Sequence, residues 1–127
     1  MLLCQTLVKA SAIHGLGCYA DEDIKKGQIV WKLDPQFDIE IDTKQLAMLP
    51  SSYRDFIHMY AYSPLSGKEE KTFILCGDNA RHMNHSSDPN LGENEFGENY
   101  ALRDIQKGEE LTCDYEVFDK DARAKLG

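Results

Sequence analysis

The densest run of chemically capable side chains is Asn79-Ala80-Arg81-His82-Met83-Asn84-His85-Ser86-Ser87-Asp88-Pro89-Asn90. Two histidines three residues apart suggest a metal, but tetrahedral zinc needs further ligands, and no nearby Cys or carboxylate has a matching spacing. A hydrolase built on His82, His85 and Asp88 is therefore disfavoured, and no metal site is expected. The run suits a recognition loop for a polar ligand, or a turn in which Asn84, Ser86 and Asp88 satisfy backbone groups and Pro89 fixes the exit. A second candidate is His14-Gly15-Leu16-Gly17-Cys18. Two glycines flanking one residue let backbone approach a ligand closely. Neither the helix after a dinucleotide fingerprint nor the Gly-Lys-Ser/Thr ending of a phosphate loop follows, so nucleotide-phosphate chemistry is not indicated. The third is Gly108-Glu109-Glu110-Leu111-Thr112-Cys113-Asp114-Tyr115. Its alternation reads as a strand with Tyr115 near the end, where a phenol can orient a nucleophile or help move a proton.

The elements that must position these residues are short. Leu7-Val8, residues 29–33 and 72–75 are β-branched or aromatic runs, and Phe37-Asp38-Ile39-Glu40-Ile41-Asp42 alternates like a half-exposed strand. After Pro50, Ser52 and Asp55 are spaced as a cap, and Tyr53, Phe56, Ile57 and Tyr60 fall on one helical face. A shorter helix is expected at residues 43–49. Residues 63–68 read as a turn and residues 88–99 as an acidic loop. One pattern occurs twice: residues 19–27 and 100–108 share Tyr, Ala, Asp, Ile, Lys and Gly at equal spacing. In each copy a strand is expected to end near Tyr-Ala, with an Ile plugging the core and a Gly supplying a turn.

A chain of 127 residues is expected to form one domain. Its net charge of −8 removes the usual footprint of phosphate-driven nucleic-acid binding and favours a basic partner. The apolar stretch at residues 1–3 is too short for a membrane span or a secretion signal, so a soluble cytoplasmic protein is expected. Cys4, Cys18, Cys76 and Cys113 lack the spacing of a zinc knuckle and are expected to be reduced core residues. Exposed edges in so small a mainly β domain leave it open to pairing as a homodimer.

Taken in order, Gly15-Leu16-Gly17, Arg81-His82-Met83-Asn84-His85-Ser86 and Glu109-Glu110-Leu111-Thr112-Cys113-Asp114-Tyr115 resemble the three signatures of the SET-domain lysine methyltransferases. The resemblance covers nearly the whole chain, residues 1–127. It implies a mainly β fold of several small curved sheets, one or two short helices, and a C-terminal pseudoknot. The knot would use residues of about 79–90 and 109–118, with an inserted helical and hairpin region at about 43–76.

The resemblance also implies methyl transfer from S-adenosylmethionine to a lysine of a basic protein tail, histone-like among the candidates. A histone target would place the protein in a nucleus, its own or a host's. Gly15, Leu16, Gly17, Arg81, His82, Asn84 and His85 would contact the cofactor, and Tyr115 would be catalytic at the junction of cofactor and lysine channel. Tyr60 or Tyr62, with Cys113, would line that channel, and Phe118 would pack over the adenine. Family members commonly carry an aromatic at the place of His82, often Phe or Tyr at that of Cys113, and Cys at that of Ser87, so the chain departs from the family pattern at these positions. The twelve residues after Tyr115 include no Cys, so the cysteine-rich zinc module that follows many family domains is not expected. The competing reading is an inactive module of the same fold that binds a basic peptide. An unperturbed lysine has a pKa of about 10.4, so a dry channel of phenols and carbonyls suits the neutral, reactive amine.

Overall fold

The computed structural model describes residues 1–63 and 72–114, so Tyr115, Phe118 and most of the expected turn at residues 63–68 lie outside the described residues. Nine strands, all short, form β1 (Thr6–Ala10), β2 (Leu16–Ala20), β3 (Ile29–Trp31), β4 (Ile39–Asp42), β5 (Thr72–Leu75), β6 (Asn84–His85), β7 (Leu91–Glu93), β8 (Asn99–Ala101) and β9 (Thr112–Cys113) among the described residues. Two helices, α1 (Thr43–Ala47) and α2 (Ser51–Tyr60), lie between β4 and β5, and a single 3-10 turn spans Asn79–His82. The strands pair as four small sheets: β1-β2, β3-β8-β7 and β4-β5 are antiparallel, and β6-β9 is parallel. This agrees with the expected mainly β architecture of small sheets with few helices.

The repeated pattern turns out to be a reciprocal pairing of its two copies. Ile24 and Ile105 exchange backbone hydrogen bonds at 2.8 Å in both directions. Gly27 N–H donates to Ala101 and Gly108 N–H to Ala20, each at 2.8 Å. Lys26 N–H donates to the Asp104 carboxylate at 2.8 Å, and Lys107 N–H returns the bond to Asp23 at 2.9 Å. The two turns therefore pack about a local two-fold, with both isoleucines fully buried beneath them. Gly27 and Gly108 take φ of +86° and +97°, where a Cβ would be strained, which explains the shared glycine.

The segment 109–113 passes between β2 and β6. On one side Ala20 N–H donates to Glu109 and Leu111 N–H to Cys18; on the other, Thr112 and Cys113 pair with Asn84 and His85. Buried Asn90 secures it, its Nδ2 donating to Glu110 O at 2.8 Å and its Oδ1 accepting from Thr112 N at 2.9 Å. Leu111 and Cys113 are buried in the central core with Cys18, Ile24, Val30 and Leu91. A second cluster, Ile41, Leu46, Ile57, Ala61, Phe73 and Leu75, joins α1 and α2 to the β4-β5 hairpin.

Several local expectations differ from the structure. The α2 helix begins at Ser51 after Pro50, so Ser52 lies inside it and no side chain caps it. Of its expected apolar face, Ile57 is buried and Tyr60 half-buried, but Tyr53 and Phe56 are exposed, because a two-stranded sheet covers only a narrow stripe of a helix. The α1 helix carries the capping box instead, with Asp42 and Gln45 bonding each other's backbone at 2.7 and 3.0 Å. Of the apolar residues in 37–42 only Ile41 packs inward. Phe37 faces solvent while Asp38, read as the wet side, is buried, accepting from the Met1 ammonium, Asp34 N–H and Gly77 N–H. The acidic stretch 88–99 is not all loop: β7 and the start of β8 form a hairpin there, anchored by buried Leu91 and closed by Asn94, whose side chain accepts from Phe96 and Glu98. All four cysteines are free and buried, and burial pushes the thiols of Cys4, Cys18 and Cys76 up to about 11, 12 and 12.

Candidate functional site

The glycine turn before β2 and the residues leading into β6 converge although they are far apart in sequence. Together with the end of α2 they line a cleft of about 480 Å3, formed by residues 13–16, Met59, Tyr60 and residues 81–85. That volume is within the range of small-molecule sites. The turn is closed by Ser11 N–H donating to Gly15 O at 2.8 Å, and Gly15 takes φ +47°.

Asn84 fastens the two walls together. Its Nδ2 lies 3.0 Å from His14 O, 3.0 Å from Leu16 O and 2.9 Å from a Glu110 carboxylate oxygen. Glu110 in turn accepts from Ser11 Oγ at 2.8 and 2.9 Å. Its carboxylate occupies the space that Gly17 leaves: a Cβ on Gly17 would come within 2.5 Å of Glu110 Oε2. A Cβ at the second glycine of the turn would therefore have to displace this carboxylate.

On the facing wall, Arg81 Nε donates to Cys76 O at 3.1 Å and its guanidinium lies 5.6 Å from the Phe56 ring centre. His82 meets the Tyr60 ring edge-on at 5.4 Å. Burial and, secondarily, the Arg81 charge lower the pKa of His82, favouring neutral imidazole. His85 Nδ1 lies 3.6 Å from Asp114 Oδ1, so β6 and the end of β9 are also joined through side chains.

The structure therefore brings Gly15, Leu16, Arg81, His82, Asn84 and His85 to one cleft, with Gly17 just behind it. Tyr60 lines the same cleft, whereas Tyr62 bridges to Ile74 and packs against the central core and the Trp31 ring at 6.1 Å. Cys113 is buried, with Sγ 4.0 Å from Asn84 O. The catalytic candidate Tyr115 and the adenine candidate Phe118 lie outside the described residues. No group of three His, Cys, Asp or Glu is placed to hold a metal among the described residues. Sequence reasoning missed Ser11 and gave Glu110 no role, since nothing in the residue pattern pairs a side chain near the C-terminus with a glycine in the first hairpin. Ile13, His14 and Met59 were likewise not anticipated as cleft residues.

Chemically, the cleft offers carbonyl acceptors, a carboxamide, a guanidinium and a neutral imidazole beside apolar Ile13, Leu16 and Met59, a set suited to a ligand with both charged and apolar parts.

The chain is 30% identical over 118 residues to a Saccharomyces cerevisiae histone-lysine N-methyltransferase specific for H3 lysine-36, covering 87% of this chain and 16% of that protein. A Debaryomyces hansenii protein of the same description is 30% identical over 112 residues, with 83% and 15% covered. The chain thus spans about one-sixth of the length of these curated relatives. Among solved structures, a Plasmodium falciparum candidate histone methyltransferase superposes with a TM-score of 0.57 at 25% identity, covering 90% of this chain and 95% of that one. A chain of Chaetomium thermophilum Polycomb Repressive Complex 2, in an autoinhibited conformation bound to S-adenosylmethionine, gives a TM-score of 0.67 at 21% identity, with 97% and 16% covered, and speaks to the fold. The family model described as the SET domain matches residues 15–116, from the glycine turn through the strand that threads between β2 and β6, and the chain belongs to that family.

Proposed function

We propose that the protein is an S-adenosylmethionine-dependent protein-lysine methyltransferase acting on a basic tail, with histone tails as the first candidates. The observation that carries this reading is the convergence of the glycine turn and β6 on one cleft, held by the Asn84 carboxamide. The relatives named for histone-lysine methylation support the reaction class, and the solved relative bound to S-adenosylmethionine supports the cofactor.

The residues present fit that cofactor. Asn84 Nδ2 is taken up by protein oxygens, which leaves Oδ1 as an acceptor for a ligand ammonium or amine. Arg81 supplies a cation for a carboxylate, and Leu16, Met59 and Tyr60 supply apolar surface. When bound, S-adenosylmethionine supplies a sulfonium-activated methyl group to a neutral lysine amine by in-line displacement.

The chain's own contribution is alignment and exclusion of water. The backbone of residues 14–17 and the side chains of Arg81, His82, Asn84 and His85 hold the donor. Tyr115, which follows Asp114 in the sequence, would orient the amine with its phenol, and Phe118 would cover the adenine. Tyr60 walls the cofactor side, while Tyr62, packed on the core that contains Cys113, serves the lysine side. A histone target places this activity at chromatin rather than in the cytoplasm. The acidic hairpin of Glu93, Glu95 and Glu98 draws in a basic tail by long-range attraction.

Calorimetric titration with S-adenosylmethionine, without added metal, tests the cofactor site: binding is expected to the wild type and to be strongly weakened, but still measurable at high ligand concentration, in Asn84→Ala. Mass spectrometry of histone-tail peptides then tests the reaction, with Tyr115→Phe expected to lose methylation. No binding by the wild type, even with a lysine-rich peptide present, would replace this reading with a non-catalytic peptide-binding module.

A further inference from the structure

Glu110 does not line the cleft, yet it contacts the residues that do. Both its oxygens accept from Ser11 Oγ, at 2.8 and 2.9 Å, and Oε2 accepts from Asn84 Nδ2 at 2.9 Å. Ser11 itself braces the glycine turn, its N–H bonding Gly15 O and its hydroxyl accepting from Ile13 N–H at 2.9 Å. Gly17 makes room for the carboxylate, and Glu110 is also fixed by its backbone, through Asn90 and the bridge to Tyr19.

Asn84 has two amide hydrogens facing three oxygens, those of His14, Leu16 and Glu110. The carboxylate is the strongest acceptor of the three and has no hydrogen to give. With the His14 and Leu16 carbonyls it holds Nδ2 toward the turn and Oδ1 away, supplying the strongest of the three bonds, and among the described residues Oδ1 accepts from no other group. A carboxamide rotated by 180° would put its oxygen against three oxygens and lose every bond. We propose that Glu110 is a positioning residue that sets the orientation of the Asn84 carboxamide, and so the acceptor offered to the cofactor, while tying it through Ser11 to the glycine turn. This inference rests on the cleft being the S-adenosylmethionine site.

The discriminating variant is Glu110→Gln. It keeps the shape, the packing and the acceptor for Ser11, but adds an NH2 group that can face Asn84 Oδ1, leaving only the His14 and Leu16 carbonyls to oppose the rotated carboxamide. Loss of a charge-assisted hydrogen bond at this position is expected to weaken S-adenosylmethionine binding by about tenfold or more in calorimetry, with the KM for peptide little changed. In an Asn84→Ala background, where residual binding is followed at high ligand concentration, Glu110→Gln is expected to add no further loss, because Glu110 acts through Asn84. Ser11→Ala, which removes one brace without touching the carboxamide, is expected to fall between wild type and Glu110→Gln and gives a second reading should Glu110→Gln fold poorly. If the wild type binds and Glu110→Gln binds equally well, or if its effect adds fully to that of Asn84→Ala, the positioning role is overturned while the cofactor reading stands. If the wild type does not bind, the cofactor reading fails and this inference with it.

Discussion

At Asn84 and His82, single side chains decide what the cleft can hold. Asn84 is committed on its donor side and free on its acceptor side, a selectivity that a longer or charged residue would not reproduce. His82 stands where the family resemblance leads one to expect an aromatic, and its ring meets Tyr60 edge-on. It adds a titration. Burial, and then Arg81, disfavour the imidazolium in the folded protein, so the folded pKa lies below the ordinary 6.5. A group shifted this way stabilises the fold fully above its unfolded pKa and loses that contribution as pH falls through the folded value. The wild type is therefore expected to lose more thermal stability than His82→Phe between about pH 7.5 and pH 5.5, as melting curves at the two values would show. An equal loss in both proteins would contradict this account.

At the level of elements, the two copies of the turn around Ile24 and Ile105 form the most regular device in the molecule. Each aspartate bonds the backbone of the opposite copy, so Asp23→Ala and Asp104→Ala are each expected to destabilise by about 1 kcal/mol. Removing either isoleucine side chain empties fully buried volume, and Ile24→Ala or Ile105→Ala should each destabilise by about 3 kcal/mol. Because the two residues are directly paired, the double substitution is expected to fall short of the sum. Urea denaturation of the four single variants and the isoleucine double variant measures all of this. Full additivity at the isoleucines would mean that the copies pack independently.

For the whole molecule, one buried carboxylate gathers distant segments. Asp38 accepts from the Met1 ammonium at 2.7 Å, Asp34 N–H at 2.9 Å and Gly77 N–H at 3.0 Å. Burial alone would raise its pKa, but the bonds to Met1, Gly77 and Asp34 more than offset this and hold it below the ordinary 3.8. The depressed value means that the stabilisation is present above the unfolded pKa and is lost as pH falls below it. Asp38→Asn is expected to destabilise by about 2 kcal/mol at neutral pH, with the gap to wild type closing under acid, as denaturant titrations across pH would show. The net charge of −8 acts at longer range. With a basic peptide as substrate, KM is expected to rise several-fold between about 50 and 300 mM salt, since added salt screens exposed charges. An unchanged KM would mean that the acidic surface does not steer the substrate.

Much of this was legible in the residues themselves. Gly15-Leu16-Gly17, Asn84-His85 and the segment ending in Tyr115 carry the family resemblance because chemistry restricts residue type where backbone meets ligand. Thr72–Leu75 reads as the strand it is, and the residues shared by segments 19–27 and 100–108 announced a repeated turn. What the residues did not disclose depends on partners far along the chain: that the two turns pair with each other, that Asp38 is buried while Phe37 is exposed, that 91–93 is a strand, and that the Glu110 carboxylate fills the space beside Gly17. Local pattern reports the periodicity and turn chemistry of a segment, which act over a few residues. Which side chain fills the space beside a given backbone atom is decided only when remote segments pack, and here that packing set the orientation of Asn84 in the cleft.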